Sequence, residues 1–254
     1  MKLKKGFTIK GQGDVEVLIF GEIGLFGITA KEVIKEIRDH GPITSLNVRI
    51  NSPGGEVFDG LAIFNFLNSL DVEITVQVDG VAASIASVIA MAGDVINMAE
   101  NAMMMIHNPW AFAGGDAAEL REMADLLEKV QENLIGIYEK RTGQTRDEIQ
   151  TLLDAETWFT AEEAVDAGLA DNITDRLEIA AKVCDAFDLS CFPNRPDTLK
   201  NKKPCTCKGA QSAINDPAPD PDPEPDPPVD PKHAERKKLV NELEKELRDP
   251  TIPA

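Results

Sequence analysis

Leu46-Asn47-Val48-Arg49-Ile50-Asn51-Ser52-Pro53-Gly54-Gly55 is the stretch that decides the fold. Its first six residues alternate apolar and polar, the period of a half-buried strand. Ser52-Pro53-Gly54-Gly55 then stops the strand with turn chemistry. Apolar residues at Val57, Leu61, Ile63, Phe64 and Leu67 follow with helical spacing. The unit is therefore strand, tight turn, helix. It repeats on both sides. Upstream, Val15-Glu16-Val17-Leu18-Ile19-Phe20-Gly21 reads as a strand, and Thr29-Ala30-Lys31-Glu32 is a capping box that opens a helix to about residue 40. Downstream, residues 72–78 read as a strand that Gly80 breaks, and a small-residue helix follows over about 83–92. Residues 94–98 and 103–106 read as two more short strands. Strands alternating with helices imply an α/β protein with a largely parallel sheet.

A long helix is predicted over about 116–141, with Leu120, Met123, Leu127, Val130, Leu134 and Ile137 near helical spacing. Thr145-Arg146-Asp147-Glu148 and Thr160-Ala161-Glu162-Glu163 cap two further helices, and Gly168 is well placed to end the second. After about Pro193 the pattern collapses. Residues 216–231 alternate Pro with Asp or Glu, a composition that stays extended and solvated. Residues 235–248 regain a narrow apolar face at Leu239, Val240, Leu243 and Leu247. The expected organisation is a folded domain over 1–192, a disordered acidic Pro-rich linker over 193–234 and a short amphipathic helical tail over 235–254.

The 254 residues carry 26 basic and 44 acidic side chains, a formal charge of −18 that argues against nucleic acid or an anionic membrane as partner. No apolar run reaches a membrane span, and the basic N-terminus lacks the apolar core of a signal peptide. Cys184, Cys191, Cys205 and Cys207 all lie late, so no disulfide framework is expected in the main domain. Cys205-Thr206-Cys207 is too tightly spaced for a zinc knuckle. No cofactor or metal is expected, and a cytoplasmic setting follows from unpaired thiols.

Three short runs carry chemistry: Asn51–Gly55, Asp79-Gly80-Val81-Ala82-Ala83-Ser84, and Met105-Ile106-His107-Asn108-Pro109. Ser84 stands at a strand-to-helix junction, where a side chain is exposed and the helix N-terminus favours developing negative charge. The plain alternative is a helix N-cap serine. Gly54 and Gly55 offer backbone N–H groups unobstructed by a Cβ, and the Gly55 and Ile85 N–H groups are the candidate oxyanion donors, each worth about 3 kcal/mol. The plain alternative is an ordinary Pro-Gly turn. Of His40, His107 and His233, only His107 ends an apolar strand in a position to serve as base. Asp154 and Glu156 are the candidate acids, and the residues alone do not choose between them.

Together these runs resemble the proteolytic subunit of the Clp protease, over about residues 16–173, and more closely its phage relatives, the head maturation (prohead) proteases. Thr160-Ala161-Glu162-Glu163-Ala164 with Gly168-Leu169-Ala170-Asp171 is similar to the family's C-terminal signature. Phe20-Gly21-Glu22-Ile23-Gly24 and Val88-Ile89-Ala90-Met91-Ala92-Gly93-Asp94 tilt the resemblance towards the phage branch. It implies a crotonase-like fold of stacked ββα units, with residues 116–141 as a protruding handle helix. It implies Ser84 as nucleophile, His107 as base and then acid, and Gly55 and Ile85 as the oxyanion hole. The family's third residue is an aspartate. Glu156 aligns with it, with Asp154 as the alternative. The implied function is a serine endopeptidase that processes capsid or scaffold precursors, assembled as a homo-oligomeric ring. Four other readings stay open: a general Clp-type peptidase fed by a separate ATPase unfoldase, a crotonase-like acyl-CoA enzyme, a Ser–Lys peptidase, and a non-catalytic scaffold with a vestigial protease domain. No Walker motif is present, so an ATPase would be another chain.

Overall fold

A computed structural model of the chain describes residues 7–24, 27–175, 189 and 192–196. Contacts divide the chain into units Met1–Cys205 and Thr206–Ala254, and all the described residues belong to the first. The four cysteines, the acidic Pro-rich stretch and the expected terminal helix lie outside the described residues.

Five strands form the spine of the sheet in the order β1-β2-β3-β4-β7: β1 (Phe7–Phe20), β2 (Ile43–Ser52), β3 (Glu73–Ala83), β4 (Val95–Ala99) and β7 (Asn172–Thr174). All four contacts along this spine are parallel. Off it, β5 (Met103–Ile106) pairs in parallel with β3, and β6 (Thr157–Thr160) pairs antiparallel with β5. The helices are α1 (Ala30–His40), α2 (Val57–Asn68), α3 (Ile85–Ala90), α4 (Ala117–Thr142), α5 (Arg146–Asp154) and α6 (Ala161–Asp166). The α/β class and the largely parallel sheet are as the pattern predicts.

Alternation builds the core. Val15, Val17 and Ile19 of β1, Leu46, Val48 and Ile50 of β2, Ile74, Val76 and Val78 of β3, and Ile96 and Met98 of β4 are all buried. They join Val33 and Ile37 of α1, Ile63 and Leu67 of α2, and the wholly buried α3 in one cluster. The intervening strand positions form the other face. There Arg49 pairs with Asp79 at 2.8 Å and with Glu16 at 3.6 Å. Burial pushes the Asp79 carboxyl up, against the opposing pull of Arg49.

The three capping boxes expected at Thr29, Thr145 and Thr160 all form, each with its glutamate at the third helical position reaching back. The long helix starts from a fourth such box, Asp116 with Glu119, and ends at Gly143 in the left-handed conformation. Residues 117–129 of α4 are mostly exposed.

One expectation needs correction. Gly80 does not break β3, which runs on to Ala83. The register shifts between Ile50 and Ser52, and there the Asn51 Oδ1 accepts the Val81 N–H at 3.1 Å. A side chain thus replaces a ladder bond across the irregularity. A Cβ on Gly80 would stand 2.7 Å from that oxygen, so glycine provides room rather than a turn.

Candidate active site

The continuation of β3 through Gly80 carries Ser84 to the end of the strand beside β5. Its N–H donates to the Met105 carbonyl at 2.9 Å. Ser84 then adopts φ 55 and ψ −130, a backbone conformation that non-glycine residues rarely hold. Such geometry costs about 1–3 kcal/mol and persists only where the surroundings over-determine it. Ser84 occupies the N-cap position of α3, yet its side chain makes no capping hydrogen bond. Its Oγ lies 2.8 Å from Nε2 of His107.

His107 sits directly after β5. Burial pushes its imidazole down to about 4. Phe192 contributes to that burial, with its ring edge-on to the imidazole at 5.4 Å between centroids. Phe192 also packs against Trp158 at 5.9 Å, within a small apolar cluster with Val81, Ala83 and Met105. By strand alternation, Val81 and Ala83 face away from the main core, whereas Ala82 faces into it. Residues 193–196, at the start of the stretch read as linker, are also described, and Asn194 and Arg195 make hydrogen bonds there.

The Asn51–Gly55 turn lies against the serine. A Cβ on Gly54 would come within 2.7 Å of the Ser84 Cβ and 2.6 Å of the Ala83 carbonyl. Gly55 bridges to Ile23, through Ile23 N–H to the Gly54 carbonyl at 2.8 Å and Glu56 N–H to the Ile23 carbonyl at 2.9 Å. That pattern leaves the Gly55 N–H outside the bridge. Ile85 is the first residue of α3, where a helix N–H has no partner within the helix. Among the described residues neither donor has a hydrogen-bonded acceptor.

The structure does not bring either candidate acid onto the imidazole. Glu156 Oε1 accepts from the Asn194 N–H at 2.8 Å and from Trp158 Nε1 at 3.4 Å. Asp154 Oδ1 accepts from Asn108 Nδ2 at 2.8 Å and Gln150 Nε2 at 2.7 Å. The two differ in placement. Ile106 pairs with Thr157 in the antiparallel β5–β6 ladder, so the next step sets His107 opposite Glu156. Glu156 also has φ 48, the left-handed region, as the chain turns from α5 into β6.

Sequence reasoning missed four residues around the site. Ser87 and Tyr138 meet 51 positions apart in sequence, and Phe192 and Asn194 arrive from beyond the last strand. Only the fully apolar setting of α3 hinted at Ser87, a polar residue needing a partner.

A side chain that stands at a helix start without capping it, and bonds an imidazole instead, is the arrangement of a serine hydrolase. Comparison with known proteins narrows this class. The Clp protease family model matches residues 29–177. ATP-dependent Clp protease proteolytic subunit 2 of Synechococcus sp. (strain CC9605) is 33% identical over 156 residues, covering 61% of this chain and 78% of the relative. ATP-dependent Clp protease proteolytic subunit 1 of Leifsonia xyli subsp. xyli (strain CTCB07) is 33% identical over 134 residues, covering 52% of this chain and 68% of the relative. The chain belongs to the Clp protease family.

Proposed function

We propose that this protein is a ClpP-type serine endopeptidase in which Ser84 attacks the scissile carbonyl and His107 takes its proton. The observation that carries the reading is the 2.8 Å bond between Ser84 Oγ and His107 Nε2, formed at a strained backbone in place of a cap. Oγ–H donates to Nε2, and the other imidazole proton stays on Nδ1. The carbonyl oxygen becomes an oxyanion held by the Gly55 and Ile85 N–H groups. The imidazolium then protonates the leaving amine, and water repeats the sequence on the acyl-enzyme. Glu156 is the acid of this reading, on the strength of its register opposite His107. Its carboxylate reaches Nδ1 once it exchanges the Asn194 N–H for the imidazole.

The substrates we assign are phage capsid or scaffold precursors, cut during head assembly in the cytoplasm of a bacterial host by a homo-oligomeric ring. Support comes from the Phe20–Gly24 and Val88–Asp94 runs that resemble the phage branch. A second reading, general proteolysis with a separate ATPase unfoldase, is favoured by the relatives' designation as ATP-dependent proteolytic subunits. No helix among the described residues is long and apolar enough to cross a membrane.

Two assays test these steps separately. A fluorophosphonate should label the parent but neither Ser84→Ala nor His107→Ala. An unlabelled parent removes the hydrolase reading, and labelling of His107→Ala points to a lysine base. Co-expression with a capsid precursor should give cleavage that depends on Ser84. Cleavage of an unfolded protein only when an unfoldase is added would favour the second reading.

A further inference from the structure

Ser84 is held by four hydrogen bonds at three of its atoms. Oγ meets His107 and N–H meets Met105, as described above. Its carbonyl oxygen accepts twice from Ser87, from the N–H at 3.0 Å and from Oγ at 2.6 Å. Ser87 Oγ also lies 2.8 Å from the Tyr138 hydroxyl. A serine hydroxyl has one proton. Ser87 gives it to the Ser84 carbonyl, so Tyr138 must be the donor in the second bond. Burial pushes the Tyr138 phenol up, so it keeps its proton across the working pH range. Both side chains are buried, Ser87 at 0% and Tyr138 at 1% exposure. The bond between them therefore forms without competition from water, and the bond to the Ser84 carbonyl is part-buried.

The relay ends on the peptide joining Ser84 to Ile85. A trans peptide is planar, with its C=O and N–H pointing in opposite directions. No peptide among the described residues is cis. Whatever pins the Ser84 carbonyl therefore also sets the direction of the Ile85 N–H. The bond from the Ser87 N–H is the i→i−3 contact of a tight first helical turn. The Oγ bond is additional, and Tyr138 orients it.

We propose that Tyr138 and Ser87 are positioning residues for the oxyanion site. By holding the Ser84 carbonyl they fix the plane of the Ser84–Ile85 peptide and aim the Ile85 N–H at the substrate oxygen. The inference rests on the serine-peptidase reading and adds two residues to it, one from α3 and one from α4. Neither touches substrate. Their effect falls on the transition state, where the oxyanion exists, and not on ground-state binding.

The test compares the full-length parent with Ser87→Ala and Tyr138→Phe. Tyr138→Phe keeps the ring in its packing site and removes only the hydroxyl, so it remains informative if Ser87→Ala folds poorly. Each variant is assayed for kcat and KM on a fluorogenic peptide, and for inhibition by a peptide boronate. The boronate's tetrahedral adduct with Ser84 places an oxygen in the oxyanion site. Removing an oxyanion donor outright costs about 10²–10³ in kcat. Misaiming one should cost less, about 5- to 50-fold, with KM unchanged. The boronate Ki should rise by the same factor as kcat/KM falls.

Variants with parental kcat and Ki would overturn the assignment. So would a loss of kcat that Ki does not follow, or a parallel rise in KM, since these mark general loosening. A parent that forms no boronate adduct would instead remove the serine-peptidase reading, and this inference with it.

Discussion

Lowering the pH provides a sharp test of the burial around His107. Desolvation holds this imidazole at about 4, so it stays neutral and able to accept the Ser84 proton well into the acid range. At pH 5.5 a group titrating at 4 is about 97% neutral, whereas one at the ordinary 6.5 is about 9% neutral. The dependence of kcat/KM on pH reports the base of the free enzyme. With Glu156 on the Asn194 N–H in the free enzyme, its acid limb should therefore reach half-height near pH 4, with most activity retained at pH 5.5. Stability should move in the same window. The unfolded chain binds a proton at this site below about 6.5 while the folded chain resists it, so stability rises with pH between about 4 and 6.5. Across that window the contribution amounts to about 3 kcal/mol. The imidazole itself is observable by NMR in His40→Gln/His233→Gln, which leaves His107 as the sole histidine of the three. Phe192→Ala in the same background should raise the titration midpoint towards 6.5. A midpoint near 6.5 in the parent, with activity already halved there, would refute the reasoning.

Three further outcomes are expected. Glu156→Gln should lower kcat by about 10⁴ if it acts as the aspartate of a serine-protease triad does, and Asp154→Asn should leave kcat within a few-fold, both read from steady-state kinetics. Gly55→Ala would set a Cβ 2.0 Å from the Ile23 carbonyl, so it should displace the turn and abolish fluorophosphonate labelling while circular dichroism retains the α/β spectrum. Arg49→Met leaves the Asp79 carboxylate buried without its cation and should cost about 3–5 kcal/mol in denaturant unfolding, and adding Asp79→Asn should recover much of that loss.

How far the sequence could be read depended on how local each signal was. The boxes at Thr29, Thr145 and Thr160 close within four residues, so every donor and acceptor is visible in one short run. Strand alternation in β2 and β3 is equally local, and it placed the sheet. Ser84 was ambiguous because a nucleophile and a cap occupy the same position, and only the destination of Oγ separates them. Gly80 misled because a glycine that makes room for Asn51 looks the same in sequence as one that ends a strand. The contacts of Ser87 with Tyr138, and of Asn194 with Glu156, join distant segments, and no periodicity encodes such a meeting.

The match to the family ends at residue 177, yet Phe192 and Asn194 reach the imidazole and the candidate acid from beyond it. The atoms that make bonds and the ring that helps desolvate the base thus come from different parts of the chain. An exchange at position 192 should therefore shift the acidity range of the site while the strand-to-helix corner that holds Ser84 stays in place.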